Sequence, residues 1–208
     1  MRKLSSRWLW TAGALALLPW VVGCSDDTGQ QSDDVTDIAN TDVKKQSIGN
    51  CWIYASVGWV ESLRLTHAGE TLNLSESYIT YWHWFEQIHG GAPGERALAD
   101  LDTEDDGTVK LNTGGWWATA VEIMRRYGML DEGAFIPEEA EAARSARQSS
   151  AESAIETALA TGDLSTPEAR ADAAKVRAVL DEAWQLTPEV VALLDEVFGA
   201  AVERTLYD

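Results

Sequence analysis

A loop ending in Gly49-Asn50 leads directly into a stretch with helical periodicity, and a cysteine stands at the junction. From Cys51 to Leu65 the sequence contains no proline and one glycine, Gly58. Large apolar side chains recur there at the spacing of a single helix face, namely Ile53, Val57, Val60 and Leu63. We therefore predict a loop that enters a helix, with these side chains as its buried face and the cysteine in its first turn.

Cys51 would then lie where a nucleophilic thiol is favoured. The first turn of a helix has backbone N–H groups without intrahelical partners and a positive partial charge, and both favour a thiolate over a thiol. Such a cysteine is predisposed to react as a nucleophile. The alternative is a small buried cysteine at the start of a core helix. The pattern alone leaves the two interpretations open.

Residues 1–23 resemble a secretory signal peptide. Three basic residues precede an apolar run, 8–20, that is shorter than the ~20 residues a membrane-spanning helix needs. The run closes on Val-Val-Gly before Cys24, which is similar to a bacterial lipoprotein box. We therefore predict that the chain is exported, cleaved before Cys24 and lipidated there. A plain signal peptide followed by an accidental cysteine is the alternative.

The stretch 24–42 is rich in aspartate and holds few large aliphatic side chains. Such a segment cannot offset the entropy lost on ordering, so we predict a disordered acidic tether, with the folded part beginning near Val43. The lipid on Cys24 would tie the protein to the cell envelope, and Ser25 after it favours the outer membrane. Cys51 would remain as the single free thiol, so no intramolecular disulfide is expected.

Charge and composition exclude several functions. The formal net charge is -18 and no local basic patch offsets it, so binding to nucleic acid or directly to an anionic membrane is not expected. Within the acidic stretch 97–109, the residues from Asp102 onward imitate the first half of a calcium loop. Counted from Asp102, the twelfth position is Thr113, where a bidentate glutamate is required. We predict a solvated loop there, and neither a metal nor a cofactor for the chain.

Four short stretches along the chain, taken together, carry a resemblance to one known protein family. They are Gln46, Gly49, Cys51 and Trp52 followed by Glu61; Leu74-Ser75-Glu76 followed by Tyr78; Asn112-Thr113-Gly114-Gly115-Trp116; and AVEIMRRYGML at 120–130. Together they resemble the papain-like cysteine peptidases, and most of all the bleomycin hydrolase and aminopeptidase C branch. The resemblance covers residues 43–137.

The resemblance implies an α+β family, of which this chain would hold a mostly α portion. Residues 43–137 would form the left-hand helical half of a papain fold, and 138–208 a helical insertion or extension. Cys51 would be the nucleophile, and Gln46 would stabilise the oxyanion, although it lies five residues before Cys51, one fewer than in the family. Substrate-binding residues would be Gly114, Gly115 and Trp52.

The Gly114-Gly115 pair has a physical basis for such a role. Without a Cβ atom, an extended peptide can approach closely enough to pair with the main chain. Taken alone, the pair also fits an ordinary turn before a helix that spans 116–127.

The base that the family requires is missing from the expected place. A histidine and an orienting asparagine should follow the nucleophile by about 130 to 150 residues, and the window 181–201 contains neither. His67 lies sixteen residues beyond Cys51, about 24 Å along a continuous helix. His83 and His89 occur in or beside an aromatic-rich helix, where we expect them on the surface or half-buried. We predict that none of the three contacts Cys51.

The last third of the chain reads as helical. Thr166-Pro167-Glu168 and Thr187-Pro188-Glu189 each combine a capping residue, a proline at the first helical position and an acid near the positive helix end. The final helix has one apolar face, formed by Val190, Leu194, Val197, Phe198 and Ala201. Its partner would be the preceding helix, through Val176, Val179 and Leu180, or a domain that this chain lacks.

Two functions remain. The first is an envelope lipoprotein that is a papain-like cysteine peptidase acting on peptide or protein substrates, truncated so that the His and Asn half is absent or supplied by a second chain. The second is a peptide-binding lipoprotein without catalysis, a pseudopeptidase. For the chain as written we expect negligible turnover, because a thiolate without a positioned acid cannot readily protonate an amine leaving group.

Overall fold

The computed structural model describes residues 38–90, 101–140 and 145–206, all within one unit, Asp37–Asp208. The predicted signal peptide, Cys24 and the tether up to residue 37 lie outside the described residues. Among the helices in the described ranges, none is both long and apolar enough to cross a membrane.

Helices hold 58% of the described residues and strands hold 5%, so the prediction of a mostly α chain is confirmed. The α-helices in chain order are α1 (Cys51–Ala68), α2 (Glu76–His89), α3 (Trp117–Tyr127), α4 (Glu132–Phe135), α5 (Arg147–Ala160), α6 (Pro167–Arg170), α7 (Ala173–Ala183) and α8 (Pro188–Phe198). A 3₁₀ turn, Pro137–Glu139, follows α4. Two short strands, β1 (Asp102–Thr103) and β2 (Val109–Lys110), pair antiparallel.

The centre of the fold is α2. It begins because the Ser75 hydroxyl accepts a hydrogen bond from the Tyr78 N–H, and it ends at Gly90, whose φ of 79° is a left-handed C-cap. Thirteen of its fourteen residues are buried, since large side chains surround the helix on all sides. It packs against α1, α3, α4 and α7.

An aromatic cluster joins the two ends of the chain. Trp82 on α2 stacks on Tyr127 with ring centres 4.0 Å apart, and Phe198 on α8 meets the Trp82 ring edge-on at 4.9 Å. Trp184, just after α7, packs against Trp84 at 5.2 Å. The last helix therefore finds its partner within this chain, on α2 and α3, so a missing domain is not needed to cover its buried face.

The capped starts of α6 and α8 are confirmed. Thr166 and Thr187 each accept a hydrogen bond from the N–H three residues on, and each is followed by proline. Only part of the face predicted for α8 is buried. Val197 is 37% exposed, and Ala201 lies beyond the end of the helix, while Val190, Leu194 and Phe198 are buried.

The buried face of α1 also differs from the predicted one. Ile53 and Val57 are fully buried as expected, but Val60 is half-buried and Leu63 is 41% exposed. Trp52, Ser56, Glu61 and Ser62 are buried instead. The face is rotated because the polar side chains of α1 have partners inside the protein, which apolar periodicity does not reveal.

The last residues of the predicted tether, 38–42, lie against α1. The Ala39 N–H donates to Thr66 Oγ1 at 3.0 Å, and the Thr41 hydroxyl donates to Glu61 Oε2 at 2.8 Å. These contacts involve the last five residues of the segment for which disorder was predicted, and the polar partners on α1 compensate for ordering them.

The acidic loop between β1 and β2 is exposed to solvent. Lys110 pairs with Glu104 at 3.0 Å, and Asp106 Oδ1 accepts the Thr108 N–H at 2.9 Å, which closes the turn. In the described parts of the chain, no group of three or more His, Cys, Asp or Glu side chains is arranged to hold a metal ion.

Candidate functional site

Cys51 is the first residue of α1, as predicted from the Gly49-Asn50 junction. It is a free thiol and it is exposed, so its interpretation as a small buried core residue is wrong. Asn50 is the N-cap residue, but its side chain makes no capping hydrogen bond. Its carbonyl oxygen accepts the Ile53 N–H at 2.9 Å. The thiol therefore stands at a helix start that no side chain caps.

The side chain of Asn50 points into the protein instead. It is 1% exposed, and its Nδ2 donates to Thr80 Oγ1 at 2.9 Å and to Gln148 Oε1 at 3.1 Å. The Asn50 Oδ1 atom is buried and has no hydrogen-bond partner among the described residues. The residue next to the thiol is thus fixed from behind by α2 and α5.

The segment 112–116 packs directly beside the start of α1. Trp52 Nε1 donates to the Thr113 carbonyl at 2.9 Å. A Cβ atom on Gly115 would lie 2.5 Å from the Trp52 ring, and one on Gly49 would lie 2.7 Å from Thr113 Oγ1. Gly115 is required by close approach, since real Cβ atoms do not make contacts so short, whereas a Cβ at Gly49 would require the Thr113 hydroxyl to rotate away. Two of the stretches singled out in the sequence are thereby brought together.

Gln87 holds this segment in place. Its Nε2 donates to the Asn112 carbonyl and its Oε1 accepts the Asn112 N–H, both at 2.8 Å. The Asn112 side chain then turns the chain, because its Oδ1 accepts the Gly114 N–H at 2.8 Å. Gly114 and Gly115 remain exposed. Gln87 was not among the residues predicted from the sequence, where its only signal was a polar residue within an aromatic helix.

An apolar groove of about 600 Å³ runs between α1 and α3 on the side of Trp52. Its walls include Trp59, Val60, Trp117, Val121 and Met124. Two of the tryptophans are unusually open, with Trp59 55% and Trp117 62% exposed. Exposed tryptophans of this extent along an apolar groove are typical of a surface that binds another molecule.

The histidines lie elsewhere. His83 is 1% exposed, meets the Trp52 ring edge-on at 4.9 Å and hydrogen-bonds Gln87, so the expectation of a surface or half-buried position is wrong for it. Burial lowers the pKa of His83 to about 4, so the ring is neutral near pH 7. His89 is half-buried, as expected, and bonds the Arg170 carbonyl at 3.2 Å.

His67 is exposed, near the far end of the continuous helix α1. All three histidines fall within the described ranges, and none has a hydrogen bond to Cys51 there. Gln46, the predicted oxyanion donor, is exposed in the loop before α1, and the described part of the chain offers its side chain no hydrogen bond.

Two more residues of the quoted stretches, Glu61 and Glu76, act as buried anchors. Lys44 Nζ donates to Glu76 Oε2 at 2.8 Å, to the Leu74 carbonyl at 2.8 Å and to Glu132 Oε2 at 3.4 Å. Glu61 accepts the Leu74 N–H at 2.7 Å. Burial, together with the negative charge of the neighbouring Glu76, raises the pKa of Glu132 to about 8 despite the attraction of Lys44. These contacts fasten the segment that leads to the thiol.

Comparison with known proteins assigns no family to the chain. No protein-family model matches it, and neither does any curated protein. A function must therefore be inferred from the arrangement around Cys51.

Proposed function

We propose that the chain is a cysteine-type peptidase of the papain class, with Cys51 as its nucleophile. One observation carries the proposal: an exposed thiol begins a helix that no side chain caps, and an exposed Gly-Gly segment is fixed beside it through Trp52. The resemblance of the four sequence stretches points to the same chemistry.

The proposed reaction uses this arrangement in two steps. The Cys51 thiolate attacks the carbonyl carbon of a peptide, and N–H groups at the start of α1 stabilise the oxyanion, with Gln46 as a further donor. The intermediate expels the amine and leaves a thioester, which water hydrolyses to the acid and the free thiol. An extended substrate would lie along the exposed edge at Gly114 and Gly115.

The amine needs a proton before it can leave, and an imidazolium is the usual donor. His83 cannot supply it, because its ring is buried against Trp52 and bonded to Gln87. All three histidines of the chain lie among the described residues and none bonds Cys51, so the imidazole that this mechanism needs would come from a second chain or from a further part of a longer protein. Without it, turnover of peptide amides is negligible.

The proposed setting is the bacterial cell envelope, with the outer membrane favoured. It depends on the signal-like stretch 1–23 and on lipidation of Cys24. The partners are then peptide or protein substrates and, through the lipid alone, a membrane. The excess of acidic residues argues against nucleic acid, and the mechanism needs neither a metal nor a cofactor.

A second candidate is peptide binding without catalysis. The observation that favours it is the open apolar groove beside an edge of exposed glycines, together with an imidazole bonded away from the thiol. Such a protein would hold extended peptides and leave them intact.

An activated ester separates the two candidates, because its leaving group needs no proton. We would mix the full chain, with Cys24→Ser so that one thiol remains, with the p-nitrophenyl ester of a blocked tripeptide. The peptidase proposal predicts a burst of about one nitrophenolate per chain and a thioester on Cys51, with no cleavage of the matching amide.

The control is Cys51→Ser in the same background, which should show no burst. A second control is p-nitrophenyl acetate, which should acylate Cys51 at least about tenfold more slowly, because it cannot use the Gly-Gly edge. Equal rates for the two esters, or no burst while the peptide still binds, would refute the peptidase and leave the peptide-binding protein.

A further inference from the structure

We propose that Gln148 is a positioning residue for Cys51, acting through Asn50 to keep the start of α1 open. The inference rests on the proposed function of Cys51 as a nucleophile. Gln148 lies on α5, in the segment 138–208, for which the sequence resemblance implied only a helical insertion or extension.

The start of α1 lacks a side-chain cap that its sequence would lead one to expect. Asparagine is among the best N-cap residues, because its side-chain oxygen accepts an N–H of the first turn. Asn50 occupies that position without making such a bond. A side-chain cap there would engage first-turn N–H groups of the kind that a thiolate or an oxyanion needs at Cys51.

The missing cap has a structural cause. Both hydrogens of Asn50 Nδ2 are used inside the protein, one by Thr80 Oγ1 and one by Gln148 Oε1. Thr80 and Gln148 are fully buried, so water does not compete for these bonds. The Thr80 hydroxyl hydrogen is itself donated to the Glu76 carbonyl at 2.8 Å, which makes its oxygen an acceptor for Asn50.

The orientation of the Gln148 amide is fixed in the same way. Its Nε2 donates to Ser77 Oγ at 3.2 Å, and Ser77 in turn donates to Glu139 Oε2 at 3.1 Å. Because the Glu139 carboxylate accepts the Ser77 hydrogen, Ser77 can only accept from Gln148, and the Gln148 oxygen must face Asn50. The direction of each hydrogen bond from Glu139 through Ser77 and Gln148 to Asn50 is therefore determined.

The inward position of Asn50 has a cost. Its Oδ1 is buried and unpartnered, so one hydrogen-bond acceptor stays unsatisfied. Capping α1 would satisfy that atom. Without Gln148, Asn50 keeps one inward bond instead of two, and the capping position is favoured. Gln148 thus holds Asn50 away from the N–H groups beside the thiol.

The test is the rate at which iodoacetamide alkylates Cys51 in the full chain carrying Cys24→Ser. We expect Gln148→Leu to slow alkylation near pH 7 about fivefold, the factor that corresponds to the roughly 1 kcal/mol of an N-cap. The pH dependence of the alkylation rate in Gln148→Leu should move to higher pH than in wild type.

Two comparisons separate positioning from simple loss of stability. Ile155 lies on the same helix, seven residues beyond Gln148, and is fully buried, so Ile155→Ala should lower the melting temperature and leave alkylation unchanged. In the Asn50→Ala background no side chain can cap the helix, so Gln148→Leu should have no further effect there.

The inference is overturned if Gln148→Leu alkylates as fast as wild type, if Ile155→Ala is slowed equally, or if the slowing persists without Asn50. In those cases a peptide-ester burst in the wild type would leave the proposed function standing. A wild-type thiol that reacts no faster than free cysteine, with no burst, would overturn both.

Discussion

Replacing Gly115 by alanine tests whether the Gly-Gly segment is held beside the thiol by direct contact with Trp52. The new Cβ would lie 2.5 Å from two atoms of the Trp52 ring, whereas carbon atoms prefer about 3.5 to 4.0 Å. Ring and loop must therefore separate by about 1 Å. That movement would break the 2.9 Å bond from Trp52 Nε1 to the Thr113 carbonyl.

The cost has two parts. Overpacking costs about 1 to 3 kcal/mol, and the lost hydrogen bond about 0.5 to 1.5 kcal/mol. The open groove beside Trp52 lets the ring shift outward, so we expect about 2 kcal/mol at the lower end of the sum. Urea unfolding followed by circular dichroism would measure it, and the peptide-ester burst should fall as well because the edge moves relative to Cys51.

Gly58→Ala is the matched control, since it makes the same chemical change within α1. No atom lies within 4 Å of a Cβ at Gly58, and a mid-helix glycine is less favourable than alanine by about 0.5 to 1 kcal/mol. The two substitutions should therefore have opposite signs. If Gly115→Ala were neutral or stabilising, with the burst intact, the packing of this segment on Trp52 would be refuted.

Three other consequences can be measured. Gln87→Leu removes both bonds to the Asn112 main chain, so it should destabilise the protein by about 2 to 3 kcal/mol and increase hydrogen exchange at the Asn112 amide; unchanged exchange would contradict the anchoring role. The pKa of Glu132 is about 8 in the folded protein against an ordinary 4.5, so its contribution to stability is present below pH 4.5 and is lost as the pH rises through 8. Urea unfolding at several pH values should show a weaker dependence of the unfolding free energy on pH in Glu132→Gln than in wild type. Equal dependence in the two proteins would refute the shift. His83, with a pKa of about 4, should show the chemical shifts of a neutral imidazole at pH 6 by NMR, and a cationic ring there would contradict its burial.

Features set by neighbours in sequence could be predicted. The start of α1 at Cys51 follows from the Gly49-Asn50 junction, and the starts of α6 and α8 follow from Thr166 and Thr187 with the prolines after them. In each case the chemistry that begins the helix lies within a few residues of its end, so no knowledge of the fold is needed.

Features set by distant partners could not be predicted. His83 was expected on the surface or half-buried, yet α2 is surrounded by other helices and the ring is buried against Trp52. The Asn50–Gln148 bond joins residues 98 positions apart, and nothing in the local pattern of either indicates the other. An asparagine before a helix predicts a cap, and only the fold reveals that this one is used elsewhere.

The segment 138–208 cannot be an accessory to the candidate site. Phe198 and Trp184 complete the aromatic cluster around Trp82 and Trp84, so a fragment ending at residue 137 would expose the centre of the core. The same cut would remove Gln148 and leave Asn50 with one inward partner. Loss of thiol reactivity in such a fragment would therefore say nothing about Cys51 itself. The resemblance to the peptidases ends at residue 137, but the structural support of the thiol extends well beyond it, which is why the point substitutions on α5 are the more informative test.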